Sequence, residues 1–390
     1  MSQRYFAQIS PGLEATLRAE LKSLGARKLK IDEGGVHFEG TRKHLYRALL
    51  SSRLASRVYL TLVEGGAPQR DALFARAAQV RWRDLVPTGD EPISVVIRAH
   101  LSATDGFAGT GEVESVVWNA IERELRGYRA LKVGEWADED PTALRLLVRL
   151  SHGRLSLRVD AGGGLLHKRG WRRVEGSAPL RPTLASAMLS LLEWRVDEPL
   201  YDPMCGSGTI PIEAARWASG RSPRLTTRYA CMGWPSFDPE TWARERERLN
   251  SDQADSVQTS PELHSNIFAS DLLAESVATT QTHLLAAGEM VQVWRCDARE
   301  IEPPCAVSGL ILINPPYGLR VKEDDTLKAM LGAFARDIER WKGWRLGLIY
   351  PRQLTPPQTS GLKATELARF QHGGLPVWVW RYEHPAQAEP

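Results

Sequence analysis

Asp202-Pro203-Met204-Cys205-Gly206-Ser207-Gly208-Thr209 is the stretch whose reading decides the fold. The apolar pair Leu200-Tyr201 leads into it, and Thr209 to Trp217 follows with helical spacing. A strand, a glycine turn and a helix in that order bring a backbone without side chains to the free amides of a helix N-terminus. The stretch departs from the dinucleotide fingerprint, because Ile210-Pro211 stand where a third glycine would be needed. Asp202, at the strand end, offers a carboxylate that suits an ammonium group better than a pyrophosphate. Farther along, Asn314-Pro315-Pro316-Tyr317 ends the apolar run Leu310-Ile311-Leu312-Ile313, which reads as a strand buried on both faces.

Working outward, Ile267 to Ala269, Val291 to Trp294, Leu346 to Tyr350 and Val377 to Tyr382 read as further strands, and Leu184 to Leu192 as an apolar helix. Strands separated by helical segments predict an α/β domain with a parallel, doubly wound, Rossmann-like sheet. Ligands of such sheets lie beyond the carboxyl ends of the strands. Asp271 and Asp297 each follow one of these strands. A carboxylate at Asp271 suits two ribose hydroxyls, and one at Asp297 an adenine amino group; either would equally cap the next helix. Asp271 lies farther from the glycine turn than the usual spacing, which implies an insertion.

The chain before this domain divides in two. Residues 1–65 read as β-α-β-β-α-β, a ferredoxin-like α+β order: a strand at Tyr5 to Ile9, a helix through Leu13, Leu17 and Leu21, a hairpin at Gly34-Gly35, a Thr41-capped helix and a strand at Val58 to Val63. Residues 66–165 read as a second unit, with helices near Asp71 to Ala78 and Glu112 to Leu125 and strands at Ile93 to Arg98, Leu144 to Leu150 and Leu155 to Val159. Ala161-Gly162-Gly163-Gly164 marks its exit, and residues 166–390 form the doubly wound domain.

A chain of 390 residues is too long for one ordinary domain, and 43% hydrophobic with 25% charged residues is a soluble globular balance. A net charge of +3 excludes a polycation, so any nucleic-acid surface must be a local patch. Cys205, Cys231, Cys296 and Cys305 show no C-x-x-C spacing, which argues against a metal site and fits a reducing cytoplasm. Met1 to Leu21 has no apolar leader-like core, and the expected location is cytoplasmic. Several aromatic residues adjoin basic ones, as in Arg169-Gly170-Trp171-Arg172-Arg173. Such residues read equally as partly exposed packing or, for His167, Lys168, Arg169, Trp171, Arg172 and Arg181, as a nucleic-acid docking surface.

Asn314, Pro315, Pro316 and Tyr317 are the expected catalytic group. An aromatic exocyclic amine is a poor nucleophile, since its lone pair is delocalised into the ring. Accepting its protons on the Asn314 side-chain oxygen and the Pro315 carbonyl favours a tetrahedral nitrogen, and an aromatic ring at Tyr317 stacks on the heterocycle. With the glycine turn, the motif points to methyl transfer onto such an amine.

With these residues in view, the chain resembles the THUMP-domain RNA guanine-N2 methyltransferases of class I fold, most of all the bacterial 23S rRNA branch. The stretches that carry the resemblance are Leu166 to Trp171, Ala178 to Ala185, Asp202 to Ala215 and Asn314 to Gly318, with Gly233-Trp234-Pro235-Ser236-Phe237-Asp238 resembling that branch's insertion. The resemblance implies a THUMP unit at 66–165 and S-adenosyl-L-methionine as cofactor. It implies that Asp202, Met204, Cys205, Gly206, Ser207, Gly208 and Thr209 hold the methionine end, Asp271 the ribose and Asp297 the adenine, with Asn314 at both catalytic and cofactor sites. It also implies structured RNA as partner, 23S rRNA ahead of tRNA, with a catalytically silent RNA-binding assembly factor and a DNA adenine-N6 methyltransferase as rivals. Two departures stand out: Leu319 occupies a commonly acidic position, and the helix Glu112 to Leu125 is less basic than RNA-binding THUMP helices.

Overall fold

The structure is a computed structural model that describes residues 2–87, 89–102, 106–135, 140, 142–174, 179–225, 228–259, 266–315, 321–353, 360–372 and 374–385. It divides into two compact units, residues 1–9, 18–166 and 226–246 in the first and 10–17, 167–225 and 247–390 in the second.

The first unit runs β1 (Gln3–Gln8), α1 (Glu14–Ser23, whose first turn groups with the second unit), β2 (Arg27–Asp32), β3 (Gly35–Gly40), α2 (Arg42–Ser51), β4 (Arg57–Gly66), α3 (Arg70–Ala78), β5 (Ile93–Leu101), α4 (Thr110–Leu125), β6 (Leu131–Val133), β7 (Leu144–Ser151) and β8 (Arg154–Asp160). The first six are the ferredoxin-like order that the sequence predicts. Val113, Val116, Val117, Ala120 and Ile121 are buried along one stripe of α4, the spacing that defines an amphipathic helix.

Residues 1–65 and 66–165 do not form separate sheets. One eight-stranded sheet runs β2-β3-β1-β4-β8-β7-β5-β6. The reason is β4: Arg57 to Leu60 pair with β1, while Tyr59 to Gly66 pair with β8 on the other edge. A ten-residue strand offers ladder hydrogen bonds on both edges, and leaving either edge open would strand its amides.

Residues 226–246 belong to this unit although they lie between elements of the other. Trp242 stands edge-on to Tyr46 at 5.2 Å and to Tyr229 at 5.3 Å, and Phe237 lies 5.5 Å from Tyr46. The Tyr229 hydroxyl donates to the Leu49 carbonyl at 3.2 Å, the Asp238 amide donates to the Tyr46 hydroxyl at 3.0 Å, and Arg47 pairs with Glu245. Within the stretch Gly233 to Asp238, Trp234 is buried and Phe237 packs against this aromatic cluster.

The second unit contains α5 (Pro182–Leu191), β9 (Leu200–Asp202), α6 (Thr209–Ala218), α7 (Pro239–Thr259, shared with the first unit), β10 (Ile267–Asp271), α8 (Ala274–Ala287), β11 (Gln292–Arg295), β12 (Leu310–Ile313), α9 (Val321–Arg336), β13 (Arg345–Pro351), β14 (Lys363–His372) and β15 (Leu375–Glu383). Its seven strands run β11-β10-β9-β12-β13-β15-β14; the first five are parallel and β15 is antiparallel to both neighbours. All four residues of β12 are fully buried, as a central parallel strand requires. The chain winds outward from β9 through β10 to β11, then restarts on the other side with β12 and β13. This is a doubly wound, Rossmann-like sheet whose winding reverses between β9 and β12, the place where such sheets open a crevice.

Candidate active site at the strand ends

Four neighbouring parallel strands deliver the four expected strand-end groups. Asp202 and Asp271 are the last residues of β9 and β10, Asp297 follows β11 by two positions, and Asn314 is the first residue after β12. Pro315 follows, buried; Pro316 and Tyr317 lie outside the described residues.

The turn after β9 is built backward from α6. Gly206 (φ 54°) and Gly208 (φ 78°) occupy the left-handed region that L side chains avoid. At Gly208 space also matters: a Cβ would sit 2.7 Å from the Thr280 methyl carbon. At Gly206 a Cβ would meet nothing within 4 Å, so the turn is open on that side. The turn is pinned to β10 through the Cys205 amide, which donates to the Ser270 carbonyl at 3.0 Å, and the Gly206 amide, which donates to Asp271 at 3.0 Å. Asp271 also accepts from the Leu273 amide at 2.9 Å.

Two α8 side chains that sequence reasoning missed hold the turn's carbonyls. The Thr280 hydroxyl donates to the Gly206 carbonyl at 2.9 Å. His283, fully buried, lies 2.9 Å through Nδ1 from the Ser207 carbonyl and accepts the Val174 amide at Nε2, 3.0 Å away. That pair of partners fixes the tautomer with the proton on Nδ1. The available signal was Ala286-Ala287-Gly288, a glycine C-cap (φ 69°) that dates the end of a helix after β10.

Asp202 is 1% exposed, and its one hydrogen bond among the described residues comes from the Met204 amide at 3.2 Å. Burial holds its carboxyl well above the ordinary carboxylate range, and the negative charge of Asp271 adds to the effect. A buried acid with a single amide partner is costly to ionise unless a cation joins it. Asp297 differs: it caps the short helical turn Ala298–Glu300 and forms a forked pair with Arg299, Nε lying 3.0 and 3.1 Å from its two oxygens. Those bonds hold its carboxyl below the usual range.

The docking expectation divides when the basic segment is located. Lys168 and Arg181 are exposed and His167 half-buried. Arg169 and Trp171 are corrected: they are 2% and 0% exposed and are not presented to a partner. Arg169 forms a buried ion pair with Glu213 at 3.3 Å, a carboxylate that also accepts from Ser186 at 2.8 Å, while Trp171 packs 5.6 Å from His283. Arg169→Ala leaves Glu213 buried with its charge uncompensated. An expected loss of about 3–5 kcal/mol in unfolding free energy follows, measured by denaturant melts. A loss below about 1 kcal/mol, the scale of an exposed pair, would contradict the burial argument. Arg172 is half-buried and reaches the turn itself, donating to the Ser207 hydroxyl at 3.2 Å and to the Thr209 hydroxyl at 3.0 Å.

Among the described residues no cluster of three or more His, Cys, Asp or Glu is placed to hold a metal ion, and no helix is long and apolar enough to cross a membrane.

Comparison with known proteins adds two family matches. Residues 169–371 match the RMKL-like methyltransferase domain, and residues 4–59 match the RlmL ferredoxin-like domain. Among solved structures, a predicted N6-adenine-specific DNA methylase from Listeria monocytogenes str. 4b F2365 is 24% identical over 99% of this chain and 97% of its own, with a TM-score of 0.80. SMU.472, described as a methyltransferase and solved complexed with SAH, is 22% identical over 99% of each chain, TM-score 0.80. TrmN from Thermus thermophilus is 22% identical over 98% of this chain and 100% of its own, TM-score 0.67. At these identities the likenesses establish a shared fold.

Proposed function

The chain belongs to the RMKL-like methyltransferase family, and on that premise we propose that it methylates the exocyclic N2 of a guanine in 23S rRNA, with S-adenosylmethionine as donor. The observation that carries this reading is the placement of Asn314-Pro315 at the end of β12, next to the strand that ends in Asp202. On this reading an amine acceptor and an amino-acid cation receptor flank one crevice. The RlmL ferredoxin-like match at residues 4–59 and the Gly233 to Asp238 stretch favour 23S rRNA over tRNA.

The donor residues fit the cofactor. The open side of Gly206 admits a close approach, Asp202 has no cation beside it among the described residues, and Asp271 retains unused lone pairs for ribose hydroxyls. S-adenosylmethionine supplies an electrophilic methyl group on a sulfonium. The protein's part is geometric and electrostatic: Asp202 holds the ammonium, Asp271 the ribose and Asp297 the adenine, while Asn314 and the Pro315 carbonyl accept protons of the target amine. Tyr317 stacks on the extruded base, and Lys168 and Arg181, with residues 66–165 in the THUMP role, contact the RNA backbone.

Mass-spectrometric mapping of methylated guanosines in rRNA and tRNA, from cells with and without the gene, tests the proposal. One N2-methylguanosine lost from 23S rRNA is the expected result. A tRNA position lost instead would move the substrate to the tRNA branch. Unchanged guanosine with a lost N6-methyladenine would overturn the base assignment.

A further inference from the structure

Arg172 stands out among the arginines of the second unit. Arg169 is paired with Glu213, Arg216 with Glu289 and Arg345 with Glu198. The Arg172 guanidinium has no carboxylate within ion-pair distance among the described residues. Its partners are all neutral acceptors: the hydroxyls of Ser207 and Thr209 and, at 3.5 Å, the Leu180 carbonyl. It lies over the Trp171 ring at 5.1 Å, which fixes its plane against a buried surface. Desolvation acts against its charged form, lowering its pKa, and the buried Glu213 only partly offsets this. Both oxygens of Glu213 are already engaged by Arg169 and Ser186.

The two hydroxyls that Arg172 touches bracket Gly208, at the start of α6. The cation therefore stands where helix amides already favour an anion. At the other end of the same turn Asp202 is buried with no cation beside it among the described residues. Among the described residues, an acid without a cation at one end and a guanidinium without a carboxylate at the other form a receptor of opposite polarity to an amino-acid zwitterion. Desolvating both charges of such a ligand is costly unless each meets a partner, and a guanidinium presents a carboxylate with parallel donors.

We propose that Arg172 binds the α-carboxylate of the cofactor's methionine moiety, so that the Arg-Gly-Trp-Arg segment serves the cofactor rather than the RNA. The inference rests on S-adenosylmethionine as the cofactor and deepens that reading. Ser207 and Thr209 then act as the hydroxyls that aim the guanidinium, which explains why the turn carries them on both sides of Gly208.

The test is binding of two probes to the full chain by calorimetry: S-adenosylhomocysteine, which has the amino-acid end, and methylthioadenosine, which lacks it. Arg172→Met is expected to weaken S-adenosylhomocysteine by about tenfold or more, the scale of a lost charge-assisted hydrogen bond, and to leave methylthioadenosine unchanged. Arg172→Lys, which keeps the charge without the fork, is expected to fall between. Thr280→Val disturbs the same turn from α8 and should weaken both probes together. An Arg172→Met protein that loses both probes in equal proportion, or neither, overturns the proposal. Should Arg172→Met fold poorly in melts, the Arg172→Lys ratio between the probes decides in the same way. A parent protein that binds methylthioadenosine as tightly as S-adenosylhomocysteine also overturns it, whereas one that binds neither probe overturns the cofactor reading beneath it.

Discussion

Asn314→Ala is expected to slow single-turnover methylation by ~10²-fold or more while leaving cofactor affinity near that of the parent. Asn314 begins the segment after β12, a strand whose four residues are fully buried, so the sheet holds the main chain that leads into it. Removing the carboxamide takes away an acceptor whose contribution grows as the amine nitrogen becomes tetrahedral. Such a loss falls on the chemical step. Tyr317→Ala is expected to weaken capture of the target base by about 1–3 kcal/mol, the scale of one aromatic stack, and Tyr317→Phe to retain most activity. If the segment were only a fold element, melting temperature, cofactor binding and rate would fall together. A stable Asn314→Ala protein that binds cofactor and methylates at the parent rate refutes the mechanism.

Asp202→Asn is expected to do two opposite things: weaken S-adenosylmethionine by ~10²-fold or more, and raise the melting temperature of the cofactor-free protein at neutral pH. The first follows from removing one partner of a desolvated charge pair. The second follows from burial, which holds the Asp202 carboxyl well above its ordinary range. A carboxyl with a raised folded pKa keeps a proton that the unfolded chain has released. Stability therefore falls as pH rises from the unfolded value, about 4, through the raised one. Asparagine abolishes that slope, so the two proteins should converge in acid and diverge toward neutral pH. The same linkage predicts that cofactor binding expels a proton from the parent, read as a dependence of calorimetric heat on buffer ionisation enthalpy. An Asp202→Asn protein less stable than the parent at every pH would mean that the carboxylate is already satisfied.

What the sequence made legible was whatever short-range pattern decides. The runs Leu310 to Ile313 and Ile267 to Ala269 are apolar without alternation, as strands buried on both faces must be, and the polar residue ending each run locates its carboxyl end. Hence Asp202, Asp271, Asp297 and Asn314 could be placed, in order, at or just past strand ends. Harder to read were features set by partners distant in the chain. Arg169 and Trp171 look like a basic-aromatic docking run until Glu213, 44 residues later, proves to lie against the guanidinium. The eight-stranded sheet depends on β4 meeting β8, and a ladder between two amphipathic strands leaves no mark on either. Strand β14 escaped notice because Lys363 to His372 carries a polar or charged residue at most positions and few are buried. Thr280 and His283 look like ordinary helix residues, and only the carbonyls they hold give them a role.

The aromatic segment at residues 226–246 has a consequence for how the protein is made. The N-terminal unit lacks part of its core when residue 166 leaves the ribosome; Tyr46 and Leu49 must wait until Tyr229, Phe237, Trp242 and Glu245 have been synthesised. Until then an apolar surface stays open on a nascent chain, the condition under which chaperones engage and misassembly begins. Holding residues 167–225 as an intervening loop costs little, because closure entropy grows only with the logarithm of length. The order of synthesis is thus not the order of folding. A fragment that stops at Leu166 ends with an uncovered core, one that starts at His167 carries aromatic residues with nowhere to bury, and neither half expressed alone contains a complete unit.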